Sequence, residues 1–431
     1  MPNYLYRPLI LVIGLVLAAS SAFGQSSPFP PGWEDSLVFF GRGGGLSFGT
    51  GALAIDSAGT THLGSVRPIF ANHRNSYELI YTTYSRTGVR GPRFAMQLAS
   101  DPSGLTIATD SHNRPHFAFV YSPFGAPSEL EYLDFDGDGW HSQKVDTFPS
   151  SNYNFPQLVL DSNDHPHIAY IGATGFLTHA YFNGSAWQFE STGVQVAATA
   201  IQIGEDGTVH IAGFSDMNNV PSQVCEERGL SGSWTGECFD TVNFMAPPAL
   251  ALAKDGTPEV AYGTYDSLNL FDIIKVAHFD GTNWTTQSTF NTLDWGLSGI
   301  FFATLAIDSA GQGKFVIEDG SYTLYYVEQE AATWALTNFG NVDEFSFEAL
   351  RLDSIGLPHM AFSIFDIFNF EFYATLKLPD LSDQWKSATS RTVSKRTIVT
   401  GKLLVSNLGS APSSGFNVNY YLSADNQLDP G

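Results

Sequence analysis

Histidine recurs at one position of a repeated phrase: His62, His116, His167, His210 and His359, with Glu259 and Lys314 at the same position in two further copies. Five imidazoles could form a ring of ligands. A metal site, however, needs ligands that converge on one point, and one imidazole per repeat does not converge. The reading favoured is structural, with each imidazole hydrogen-bonding the adjacent turn or the next repeat. A second set is DFDGDG (134–139), which starts like a calcium loop with Asp134, Asp136 and Asp138 at alternate positions. Such a loop needs a bidentate Glu at its twelfth position, where this chain has Val145. The same residues align with FNGSAW and FDGTNW, so the expectation is a hairpin turn, with no metal and no cofactor.

Covalent and acid–base chemistry find little support. Sialidase catalysis would need an arginine cluster, a Tyr/Glu nucleophile pair and an acid. The S-x-D-x-G-x-x-W pattern is absent, and VRPIF (66–70) imitates an FRIP segment poorly. There is no G-x-S-x-G, no HExxH and no phosphate loop. The chain therefore reads as a non-enzyme, with no catalytic residues assigned. What remains is aromatic. Tyr121, Phe124, Tyr153, Tyr265, Phe271 and Trp295 fall in the longer, variable connections, where a rigid scaffold usually carries recognition. Such rings can stack on a sugar or anchor a protein. The competing reading is that each caps the core under its own loop.

The elements that would carry these residues follow from PQLVLDSNDHPHIAYIG (156–172): an apolar strand, a polar turn and a second apolar strand. Seven copies align on Asp56, Asp110, Asp161, Gly204, Ala253, Asp308 and Asp353, at spacings of 43 to 55 residues. A period near fifty means a stacked or radial repeat whose units cover one another. Each copy continues into a second strand pair, such as LTHAYFNGSAWQFEST and IKVAHFDGTNWTTQST. Asn183-Gly184 and Asp280-Gly281 suit two-residue hairpins, whose central positions need positive φ. A Trp follows the turn in five copies (Trp140, Trp187, Trp234, Trp284 and Trp334), and Phe94 stands in for it in the first. Four short strands per repeat predict an all-β fold, a seven-bladed β-propeller of four-stranded antiparallel blades. The seventh copy lacks a fourth strand, and GWEDSLVF (32–39) resembles one. Residues 33–39 are therefore expected to pair with 370–376 and close the ring, with Trp33 completing the Trp column.

The chain has 431 residues and a formal charge of −23 at pH 7. That charge repels nucleic acid and anionic membrane surfaces, so neither is expected as a partner. Arg7, the apolar run 9–19 and Ala22-Phe23-Gly24 read as a signal peptide, residues 1–24, cleaved before Gln25. The mature protein is expected to be secreted or held at the cell surface, without membrane insertion. Cys225 and Cys238 flank a hairpin of the fourth copy. In an oxidising compartment they read as a cross-strand disulfide, the alternative being two buried thiols.

Residues 25–377 resemble the secreted bacterial propellers built on D-S-x-G-x-P-H-I-A-Y repeats, akin to sialidase-like and fucose-lectin-like propellers. Residues 378–431 differ in pattern. Pro379-Asp380-Leu381, Val405-Ser406-Asn407-Leu408-Gly409 and Tyr420-Tyr421-Leu422-Ser423-Ala424-Asp425 resemble the CARDB type of cell-adhesion-related domain. That resemblance implies a partial immunoglobulin-like β-sandwich. The functional expectation is an exported recognition or adhesion module that binds glycan or protein on the loop-rich face. An exported polysaccharide hydrolase or lyase, or a structural spacer in a larger surface protein, are the alternatives.

Overall fold

The computed structural model describes residues 33–41, 53–71, 74–85, 88–98, 100, 102–121, 126–148, 155–215, 222–230, 232–243, 247–266, 271–308, 310–321, 323–330, 333–341, 345–354, 356–365, 369–376, 381–393 and 396–407. The signal-peptide expectation and the CARDB-like residues beyond 407 lie outside them. Among the described residues every element is a β-strand except the short 3-10 helix Leu293–Trp295.

Seven of the sheets are four-stranded. Numbered by their first strands, these are Leu53–Ile55, Pro102–Thr109, Gln157–Leu160, Ala197–Ile203, Ala249–Leu252, Ile300–Ile307 and Phe345–Leu352. Sheet three shows the pattern: Gln157–Leu160, Pro166–Ile171, Leu177–Phe182 and Trp187–Ser191 follow one another as antiparallel neighbours. Sheet seven differs. Its fourth place, beside Asn369–Leu376, is taken by Trp33–Gly41. The side chains of that strand, Trp33 included, lie outside the described residues. The first strands touch in sequence order, and Phe345–Leu352 also touches Leu53–Ile55.

The turn that ends each first strand is built by one carboxylate. Asp56 Oδ1 accepts the backbone N–H groups of Ala58 and Thr60, at 2.9 and 2.7 Å. Asp110, Asp161 and Asp308 do the same. Where Gly204 and Ala253 replace the aspartate, Asp206 and Asp255 take over from two residues further on, accepting from the backbone N–H and hydroxyl of Thr208 and Thr257 respectively. The chain then reverses through one left-handed residue. That residue is Gly59 in the first turn, but Asn113 and Asp164 hold φ of 61° and 63° in the next two. Asn and Asp tolerate that region better than other side chains because they can bond locally.

The core lies between sheets rather than inside one. Val66, Leu79 and Tyr81 of sheet one meet Leu105, Ile107 and Phe117 of sheet two. Equivalent clusters join two to three, three to four, four to five and five to six. Leu53 and Leu63 meet Ala349 and Ala361, so sheet seven also packs on sheet one. Burying one such side chain contributes about 1.5–3 kcal/mol, and single sheets could not bury these faces alone.

The Trp column supplies a wedge at the five junctions from sheet one to sheet six. Trp140 packs on Tyr81, Trp187 on Tyr132, Trp234 on His179, Trp284 on Phe239 and Trp334 on Phe290, with ring centroids 4.1–5.8 Å apart. In every case the partner belongs to the preceding sheet. Phe94 does not play this part. It is 58% exposed, and bulges on both sides of Ile80 and Tyr81 shift the register of its strand, so its ring leaves the packed face.

Cys225 and Cys238 are bonded across the strands Ser222–Leu230 and Ser233–Val242, with Cα atoms 3.9 Å apart. Closing a loop this short contributes roughly 3 kcal/mol at most. Beyond the repeats, Leu381–Val393 and Arg396–Asn407 form an antiparallel two-stranded sheet. The chain divides into two compact units; the repeats from residue 35 to 375 lie in the first, and the described residues 33–34, 376, 381–393 and 396–407 lie in the second. No helix among the described residues is long and apolar enough to cross a membrane.

Candidate ligand-binding site

The histidine column opens each second strand, where it meets the turn carboxylate and the third strand. His62 Nε2 lies 3.1 Å from Asp56 Oδ2, and the Tyr81 hydroxyl lies 2.7 Å from its Nδ1. The carboxylate can only accept, so Nε2 carries the proton and the phenol donates to Nδ1. His116 repeats this with Asp110, 3.5 Å away, and Tyr132. His359 Nδ1 lies 3.0 Å from Thr61 Oγ1 of sheet one, and its Nε2 lies 3.6 Å from Asp353.

Elsewhere the partners are exchanged. His210 meets Glu226 at 2.8 Å, Glu259 meets His278 at 2.8 Å, and Lys314 meets Glu328 at 3.4 Å. In sheet three two imidazoles meet, His167 Nδ1 to His179 Nε2 at 2.9 Å, stacked on Tyr181. Burial lowers the pKa of His62, His116 and His359, and takes His167 and His179 down to about 4. The column thus ties the second strand of each sheet to its neighbours: to the turn carboxylate and the third-strand phenol in sheets one and two, to a third-strand side chain in sheets three to six, and to Thr61 of sheet one in sheet seven.

Of the acidic loop, Asp136 is the residue the turn uses. Its Oδ1 accepts the N–H groups of Asp138 and Gly139 at 2.8 and 2.9 Å, and His141 Nε2 donates to Oδ2 at 2.7 Å. Those bonds hold its carboxyl down at about 2. Asp134 ends the preceding strand, opposite His141. Asp110, His112 and Asp164 do come together between the turns of sheets two and three. Their oxygens are already engaged: Asp110 by the His112 and Arg114 N–H groups and the Arg114 Nε, Asp164 by the Ser111 N–H and hydroxyl.

The aromatic candidates separate on inspection. Phe124 and Tyr153 lie outside the described residues, as does the side chain of Phe271. Tyr121 is half-buried, and its hydroxyl donates to Glu129 Oε2 at 2.7 Å. Burial and that carboxylate push its phenol up to about 12. Tyr265 is half-buried, and its carbonyl accepts from Asn243 Nδ2 at 3.4 Å. Trp295 is different, being 39% exposed. It rides on the buried Phe290, with ring centroids 6.0 Å apart and planes inclined by 25°. No ring contact joins Tyr121, Tyr265 and Trp295 among the described residues.

The turn that presents Trp295 is held tightly. Thr292 N donates to Asp272 O at 3.1 Å, Leu297 N donates to Thr292 O at 2.9 Å, and Asp294 N donates to Asn291 Oδ1 at 2.7 Å. Gly296, at φ 67°, lets the chain leave the helical turn. Leu293, two residues before the Trp, is 66% exposed. The Ser298 and Ser321 hydroxyls lie 3.0 Å apart where the loops of sheets five and six meet. Nearby, Asp272 Oδ2 accepts Ile300 N–H at 2.6 Å, and Asp319 Oδ1 accepts from Ser321 and Thr323. Burial raises the Asp272 and Glu318 carboxyls, the latter aided by the charge of Asp319. Leu293 and the serines escape a search for aromatic loops; the signal was three apolar residues, Leu293, Trp295 and Leu297, alternating with polar residues and glycine in NTLDWGLSG.

No protein-family model and no curated protein matches the chain. Among solved structures it is similar to a PL25 polysaccharide lyase, an ulvan lyase bound to -[GlcA(1-4)Rha3S]-. The identity is 10%, covering 78% of this chain and 95% of that one, with a TM-score of 0.49. It is similar to the β-propeller domain of the Trilobed protease from Pyrococcus furiosus, described as an open velcro topology. There the identity is 11%, the coverage 76% and 94%, and the TM-score 0.46. It is also similar to the six-bladed fucose-recognising lectin of Aleuria aurantia, at 13% identity, 60% and 91% coverage and a TM-score of 0.40.

Proposed function

We propose that the chain is an exported recognition module that binds glycan or protein on the loop face around Trp295. Residues 1–24 are its signal peptide, residues 25–377 a seven-bladed β-propeller, and residues 378–431 part of a CARDB-like adhesion domain. Two features of the fold support a propeller closed by the N-terminal strand: the circular order of first-strand contacts and the place of Trp33–Gly41 in sheet seven.

One observation carries the binding reading. Of five exposed large apolar side chains among the described residues, Leu293 and Trp295 stand on a single tight turn. A rigid aromatic beside an aliphatic side chain, flanked by hydroxyls and carboxylates, suits a sugar face or a protein anchor. The test is a glycan array and a pull-down with the mature protein and its Trp295→Ala variant. Wild type should bind in one of the two. The variant should lose about tenfold in affinity, near 1.4 kcal/mol. Absence of any binder, or a variant that binds as wild type does, overturns the reading.

A further inference from the structure

A cavity of about 420 Å³ runs among the first strands of sheets two to seven. The position two before the last residue of the aligned LxxD phrase is small or apolar in most copies: Ala54, Ala108, Val159, Ala251 and Ala306. Two copies depart, with Gln202 in sheet four and Arg351 in sheet seven, and both line the cavity. The other polar residues of its wall are Thr106, Gln157, Thr199 and Thr304. Gln157 is spent on Phe155 O, and Thr199 on the carbonyls of Ala212 and Pro248.

Arg351 is thus the sole charge on the described wall. The chain has 43 Asp and Glu residues, and none of them lines the cavity. Arg351 Nη1 donates to Leu350 O at 2.9 Å, and no carboxylate pairs with it among the described residues. Burial lowers its pKa from the ordinary value, yet a guanidinium in a protein stays charged. Arg351 is half-buried, and a partly desolvated charge with no carboxylate beside it among the described residues is costly. A guanidinium also offers several donors in a planar fork, which matches carboxylate and sulfate oxygens two at a time.

We propose that the channel holds an oxyanion on Arg351, either a free inorganic anion or the carboxylate or sulfate group of a small acidic sugar. This site is separate from the Trp295 face and stands whether or not that face binds anything. The test uses the mature protein with sodium sulfate and, in a second arm, sodium glucuronate, each against sodium chloride at matched ionic strength. Thermal melting and calorimetric titration are the readouts. Sulfate or glucuronate should raise the wild-type midpoint by several degrees and bind with millimolar or tighter affinity. A response to sulfate alone indicates the inorganic anion; a stronger response to glucuronate indicates the sugar acid. Arg351→Gln should lose the response, and Arg351→Lys should keep part of it. If Arg351→Gln does not fold, the wild-type titration decides. No heat and no shift beyond chloride overturns the proposal, as does an equal shift in wild type and Arg351→Gln.

Discussion

A chain lacking residues 33–41 should fail to melt as one cooperative unit and should be cut rapidly by protease under native conditions. The strand Asn369–Leu376 would lose its outer neighbour. Its backbone donors and acceptors would then face solvent as an open edge, which invites aggregation. The damage should spread because sheet seven also covers Leu53 and Leu63 of sheet one through Ala349 and Ala361. A loosened sheet seven therefore exposes the next apolar face as well. The measurement is a thermal melt with limited proteolysis. A truncated protein that melts within a degree or two of wild type would show that residues 33–41 are dispensable.

The second large effect is a loss of stability in acid. His167 and His179 are buried against each other, with Asp161, His165, Tyr181, Glu190 and Trp234 around them. Glu190 Oε2 lies 3.2 Å from His179 Nδ1 and favours the imidazolium, but burial prevails, and both groups sit at about 4 against an ordinary 6.5. Between those values the unfolded chain binds protons that the folded chain does not. Stability therefore rises with pH across this window and is lost as pH falls from 6.5 to 4. The loss is on the order of 3 kcal/mol per histidine at most.

Glu227 works in the opposite sense. Burial, then the charge of Glu226, push it up to about 7. Its contribution is complete below its unfolded pKa of 4.5 and is lost as pH rises through 7. Melting midpoints between pH 4 and 8 should show both limbs. His179→Gln should flatten the acid limb, and Glu227→Gln the alkaline one. An acid limb as steep in His179→Gln as in wild type would remove this account.

Much of the fold was legible because the repeat is written in residues whose local physics is strong. An aspartate at a strand end captures backbone N–H groups whatever surrounds it. The Asn183-Gly184 and Asp280-Gly281 hairpins were legible as turns, but each loop runs four residues rather than two, and only its glycine is left-handed, at φ 89° and 93°. The Trp column was legible as a periodicity, although the surface each indole covers was not, since the partner lies 44 to 59 residues away in sequence. Phe94 misled for a related reason: type and position matched the column, but bulges in the neighbouring strand turned its ring outward. The transfer of the turn carboxylate to Asp206 and Asp255 could not be read by aligning one column. The candidate sites were less legible still. Whether Tyr121 is a platform or a tied-down phenol depends on Glu129 across the strand, and Arg351 carries meaning only once the first strands surround it.

The direction of the Trp packing has a consequence for how the protein is made. Each indole belongs to the last strand of its own sheet and lands on the sheet synthesised before it. A ribosome or translocation pore delivers the chain in that same direction. Each newly emerged sheet therefore waits about one repeat for its cover, and the cover arrives with the next sheet's closing strand. The exposed apolar surface of a growing chain stays near that of a single sheet, however many have been added. Sheet one, whose other face waits for sheet seven, stays open longest. A holdase acting during synthesis would find its lasting target there, around Leu53 and Leu63.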